Sequence, residues 1–105
     1  MRGRQGGRLN SGLPEFEWDP DKARTNQRKH GVSFEEGATV FFDEAALVED
    51  DPGHSRGDEL RSRIIGRADS GRVLVVAYCE TDDLIRIISA RKASRSEERT
   101  YEKGE

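Results

Sequence analysis

Two apolar runs placed almost end to end, "VLVVAYCE" (Val73–Glu80) and "LIRIISA" (Leu84–Ala90), constrain this chain more than any other feature. Both are rich in β-branched residues, and only Thr81-Asp82-Asp83 separates them, so they read as neighbouring antiparallel strands joined by a tight turn. Val73–Tyr78 is apolar on both faces, which puts it in the middle of a sheet. Little else is available for burial. Of 105 residues, 37% are charged and 32% apolar, so one small domain has to build its core around these two strands.

The flanking elements announce themselves by their ends. "EFEWD" (Glu15–Asp19) alternates polar and aromatic residues, the pattern of a short strand with Phe16 and Trp18 on one face. Asp19-Pro20 supplies an N-cap and a proline at the first helical position, while Lys29-His30-Gly31 supplies a basic last turn and a closing glycine. Together they predict a helix over 20–30. Ser33 with Glu36 forms a capping box that opens a second helix near 34–42, and Ser94 with Glu97 opens a last one reaching about Lys103. Strands are expected over 46–49, 60–66, 72–80 and 84–90, with turn chemistry at Asp51-Pro52-Gly53 and Asp69-Ser70-Gly71. The order β-α-α-β-β-β-β-α describes an α+β fold, a small antiparallel sheet with helices packed on it. "MRGRQGGRLNSGLP" (residues 1–14) carries almost nothing apolar and reads as a flexible N-terminal tail, leaving 15–105 as a single domain.

Several function classes fall away at once. One cysteine, Cys79, excludes an intramolecular disulfide framework and a multi-cysteine zinc site, which suits a reducing cytoplasm; its apolar strand neighbours make it a buried thiol rather than a nucleophile. His30 and His54 have no zinc-ligand spacing, the acidic stretch holding Asp50, Asp51 and Asp58 lacks the pattern of a calcium loop, and neither a phosphate-binding glycine loop nor a nucleophile elbow is present. No run approaches the roughly 20 apolar residues of a membrane span. Net charge is −3, but its distribution is uneven: acid concentrates in Glu35–Glu59, base in Lys22–Lys29, Arg61–Arg72 and Arg86–Arg95. Such a surface can offer one face to a polyanion and another to a basic partner.

Two segments carry candidate chemistry. The helix "PDKARTNQRKH" has Ala23 as its only good core residue, and Lys22, Asn26 and Lys29/His30 share one face. That face is either a solvated surface with His30 capping carbonyls, or a basic phosphate grip with His30 placed for proton transfer; spacing admits both. In the last strand, regular alternation puts Arg86, Ile88 and Ala90 on one face and Ile85, Ile87, Ser89 and Arg91 on the other. Arg86 among isoleucines calls for a carboxylate partner such as Glu17 or Glu80, or for an open groove in which it braces a phosphate. Arg63 on the 60–66 strand can share its face, with Tyr78 between them. Ser89, Arg91 and Lys92 at the strand end add phosphate-binding donors.

"FEWDPDKARTNQRKHGVSFEEGATVF", "DDPGHSRGDELRSRIIG", "LVVAYCE" and "IRIISARKASRSEERTYE" together resemble the BrnT family of bacterial toxins, over Phe16–Glu102. Gly37, which interrupts the family's usual Glu-Glu-Ala, and the N-terminal tail are the departures. The resemblance implies a RelE-like fold and the toxin of a type II toxin–antitoxin pair, an endoribonuclease that cleaves RNA without a metal or other cofactor and arrests translation. It also implies a cytoplasmic BrnA-like, DNA-binding antitoxin partner in a 2:2 hetero-oligomer, with operator DNA touched only through the antitoxin. Carried onto this sequence, His30 is the catalytic base or acid and Arg86 the transition-state brace. Lys22, Lys29, Arg63, Ser89, Arg91 and Lys92 are the substrate grips, and Tyr101 is a reserve candidate whose better-supported role is packing the last helix. The competing reading is a non-catalytic module that only binds antitoxin or nucleic acid.

Overall fold

The computed structural model describes residues 14–51, 53 and 60–104. The tail expected over 1–14, except Pro14, lies outside these residues, as do His54 and the rest of 54–59. In chain order the elements are β1 (Glu15–Glu17), α1 (Pro20–His30), α2 (Phe34–Thr39), a 3₁₀ turn (Val40–Phe42), β2 (Leu47–Asp50), β3 (Arg61–Arg67), β4 (Val73–Thr81), β5 (Leu84–Lys92) and α3 (Arg95–Lys103). The second helix is shorter than the capping box and apolar run suggested. The Thr39 hydroxyl donates to the Glu36 carbonyl, and β-branched Val40 then continues as a 3₁₀ turn.

The strands form one five-stranded sheet in the order β1-β5-β4-β3-β2. β2 through β5 are antiparallel neighbours, as expected, with Asp82 left-handed (φ 49°) in the two-residue β4–β5 turn. The all-antiparallel expectation fails at β1, which pairs parallel with β5, Phe16 opposite Ile85 and Glu17 opposite Arg86. The short-connection argument reaches only strands adjacent in sequence, and β1 joins the last strand, not the next one. The sheet edge needed an account of the first strand that turn chemistry could not supply.

One face of the sheet is closed. Leu74, Val76, Tyr78, Ile64, Ile85, Ile87 and Ala90 pack there against Val32 and Phe34 of the helical layer and against Val40. Trp18 and Phe41 complete it, Trp18 edge-on to Phe34 at 5.9 Å and Phe41 edge-on to Tyr78 at 4.9 Å. Gly66 is required where the 3₁₀ turn crosses β3, because a Cβ there would come within 2.9 Å of both Ala46 Cβ and Val40 Cγ1. Arg72 fastens this layer to β4 through a fork onto Glu36 (2.6 and 2.9 Å) and a bond to the Gly31 carbonyl, and it holds the Glu36 carboxyl below its ordinary range.

The opposite face is only half covered. α3 lays Tyr101 over Ile65, Val73 and Val75, and the Tyr101 hydroxyl donates to Asp43 at 2.6 Å. Its N-terminus carries the expected capping box, Ser94 with Glu97. Beyond Val75 this face has no helix of the described residues on it.

Candidate functional site

The register fixes what the uncovered half presents. One row across it runs Glu49, Arg63, Ala77, Ser89; the next runs Arg61, Cys79, Arg86, Glu17. Arg63 and Arg86 therefore share a face, as the sequence suggested, but Tyr78 is not between them. It points into the closed core, where burial holds its phenol above the ordinary range. Small Ala77 and Ser89 leave room for a cleft of about 180 Å³ walled by Arg61, Arg63 and Arg91.

A bulge in β5 makes this grouping possible. Ala77 pairs with Ser89 but Tyr78 pairs with Ile87, so Ile88 is an extra residue on β5. Ile85, Ile87 and Ala90 consequently face the closed core, and Arg86, Ser89 and Arg91 face out together. Regular alternation had placed Arg86 with Ala90, and Ser89 and Arg91 with Ile87; the bulge reverses the outer half of the strand. The signal was present as the Ile87-Ile88 doublet, which no period-two strand can bury on one face.

Three of the outward arginines each hold a carboxylate from a different element. Arg86 meets Glu17 of β1 at 2.8 Å, Arg63 meets Glu49 of β2 at 2.8 Å, and Arg91 makes a two-pronged bond to Glu97 of α3 at 2.8 and 2.9 Å. Arg86 and Glu17 are 47% and 34% exposed, so this is a solvated surface pair, the ion-pair alternative weighed from sequence. Arg91 and the Ser94 amide and hydroxyl draw the Glu97 carboxyl down to about 2. Glu49 and Glu97 drew no notice in sequence as arginine partners, because only the register and the packing of α3 bring them there.

The α1 residues form a second cleft, of about 320 Å³, on the other side of β5. Lys22, Lys29 and His30 line it with Ile88 and Ser89. Ser89 alone borders both clefts. Arg86 lines neither, sitting one row further along the open face, and Lys92, although still within β5, pairs with Leu74 and lines neither cleft. The expected single site thus becomes two grooves on either side of a strand. Asn26, which spacing placed on the basic face, is 7% exposed and does a different job. Its amide donates to the Ala90 and Val32 carbonyls (2.8 and 2.9 Å) and accepts from the Ala90 N–H (3.2 Å), so it pairs with β5 where β1 no longer does. The α1 C-terminus is closed by left-handed Gly31 (φ 70°), whose N–H donates to the Gln27 carbonyl, and His30 remains exposed. Cys79 is buried, as expected. Among the described residues no group of three or more His, Cys, Asp or Glu side chains could hold a metal ion, and no helix is long and apolar enough to cross a membrane.

Residues 18–97, which include every candidate cation of both grooves, match the family described as the ribonuclease toxin BrnT of type II toxin–antitoxin systems. The chain belongs to the BrnT family. Among solved structures it is similar to the Brucella abortus ribonuclease toxin BrnT, known from a crystal structure at 1.1 Å, with 24% sequence identity and a TM-score of 0.59. That likeness, which covers 79% of this chain and 100% of the other, shows a shared BrnT fold. No curated protein sequence matches the chain.

Proposed function

We propose that this BrnT-family chain is a metal-independent endoribonuclease whose site straddles β5 at Ser89. The observation that carries the reading is the convergence there of two basic grooves, one with Arg63 and Arg91, the other with Lys22, Lys29 and His30. His30 takes the proton of a ribose 2′-OH, and the 2′ oxygen forms a bond to the adjacent phosphorus as the bond from phosphorus to the 5′ oxygen breaks. A cyclic 2′,3′-phosphate remains, and the leaving 5′ oxygen takes a proton from water. Arg86 braces the negative charge that develops on the phosphorane, and Lys22, Lys29, Arg63, Ser89, Arg91 and Lys92 hold the flanking strand.

On this reading residues 15–105 act as one RelE-like toxin domain that inhibits translation. A DNA-binding antitoxin of the BrnA type neutralises it in a complex of two toxins and two antitoxins, and contacts operator DNA on behalf of both. The acidic residues of β2 and its surroundings are the side suited to basic antitoxin segments.

The test is cleavage of a labelled RNA in excess EDTA by wild type, His30→Ala and Arg86→Ala, with folding followed by circular dichroism. Wild type cuts, and each variant loses about a hundredfold or more in rate while remaining folded. Undiminished cleavage by both variants would remove these residue roles. An inert wild type, both on free RNA and on RNA presented by ribosomes, would favour a module that only binds.

A further inference from the structure

Ile88 is an apolar residue that the cores of the described residues leave out. It is partly exposed, joins neither apolar cluster, and is displaced by the β5 bulge into a cleft whose other walls are polar or charged, with Asp21 the one acid beside Lys22, Lys29 and His30. A strand that needed only a solvated edge there would be better served by a polar residue, and a strand that needed core would have buried the isoleucine. An apolar side chain flanked by Lys22, Lys29 and His30 is a combination suited to a ligand with a flat, weakly polar body and an anionic end.

We propose that the cleft between α1 and β5 is a nucleoside subsite. It takes the nucleotide that contributes the attacking 2′-OH, with its base laid on Ile88 and its ribose toward His30. That nucleotide's 3′ phosphate passes over Ser89, the one residue common to both clefts, to the arginines of the open sheet face. The proposal rests on the RNA-cleaving reading above and deepens it: the α1 cleft selects a nucleotide and the sheet face handles the phosphate. The cleft's volume of about 320 Å³ falls within the range of small-molecule sites. Lys22 and Lys29 then serve the phosphate on the 5′ side of the bound nucleoside.

The experiment is binding without turnover. Nucleoside 3′-monophosphates carrying each of the four bases, and inorganic phosphate alone, are titrated into wild type while the Ile88 δ-methyl and His30 ring signals are followed by NMR. The subsite requires saturable shifts at Ile88 with at least one nucleotide and none with phosphate. It also requires that Ile88→Ser weaken nucleotide binding about tenfold while leaving phosphate binding alone. Nucleotide shifts confined to the sheet-face alanine Ala77 and its neighbours, or equal Ile88 shifts with phosphate, would overturn it. The outcomes separate from those of the cleavage assay. A chain that cuts RNA but keeps Ile88 silent loses the subsite and keeps the nuclease. A chain that binds nucleotides at Ile88 yet cuts nothing keeps a nucleoside-binding cleft and loses both the nuclease and the subsite's role in cleavage.

Discussion

On one face of the sheet Phe34, Val40, Leu74 and Val76 are fully enclosed beneath two helices and a 3₁₀ turn. On the other, one nine-residue helix covers Ile65, Val73 and Val75, and the remaining rows show arginines facing carboxylates. The energies of the two faces differ in kind. A fully buried aliphatic or aromatic side chain stabilises by about 1.5–3 kcal/mol, whereas an exposed ion pair contributes about 0–1 kcal/mol. Most of the burial that stabilises the fold therefore lies on the closed face. The open face is then released to carry the charges to which the proposed function assigns RNA binding.

That division can be broken first at Phe34. Phe34→Ala should cost about 4 kcal/mol in urea unfolding, since the residue is fully buried and stacked edge-on with Trp18. A loss below about 1 kcal/mol would mean that the closed face is not the stabilising one. Asn26→Ala comes next, at about 2–3 kcal/mol, because the Ala90 N–H and the Ala90 and Val32 carbonyls lose their amide partner at once. A loss near that of an ordinary surface substitution would show that α1 docks on β5 without it. The smallest effect sharpens the comparison from the open side. The Glu97 carboxyl is held at about 2 in the folded chain against an ordinary value of 4.5. A depressed folded pKa contributes stability above the unfolded value and loses it as pH falls from about 4.5 toward 2. After allowance for solvent, wild type should lose about 1 kcal/mol relative to Glu97→Gln across that window, read from thermal unfolding at successive pH values.

Much of this fold was legible because its boundaries are written in local chemistry. Asp19-Pro20, Gly31, Ser33, Ser94 and the turn residues each act within a few positions of themselves, and the elements begin and end close to where those residues placed them. What stayed hidden depended on distant partners. The buried role of Asn26 is set by backbone 64 residues away, so a helix without an apolar stripe looked like a purely solvated or ligand-binding face. The parallel seat of β1 brings Glu17 to Arg86, and the hairpin register brings Glu49 to Arg63; neither is encoded near the residue it serves. The bulge lies between these cases. Buried positions 85, 87 and 90 step by two and then by three, a break visible in the Ile87-Ile88 pair to a reader who relaxes strict alternation. His30, Lys22, Lys29 and Ser89 were brought together as expected, whereas Arg86 and Lys92 were set apart from that group.

Under the proposed function, the glutamates on Arg63, Arg86 and Arg91 would make the open face an ion exchanger. A phosphate arriving at any of these arginines displaces an oxyanion tethered to the same chain, so each contact trades one pairing for another. The displaced glutamate stays beside the bound strand and repels it. Isolated phosphates gain little by such a trade, whereas a strand that engages several arginines at once multiplies each small advantage through effective concentration. Salt should register the difference. Counterion release from single-stranded nucleic acid gives a slope of about −0.7 per phosphate neutralised in log affinity against log salt. With Glu17→Gln, Glu49→Gln and Glu97→Gln combined, RNA binding should become tighter and its salt slope steeper, as arginines relieved of their internal partners take up phosphate as unpaired cations.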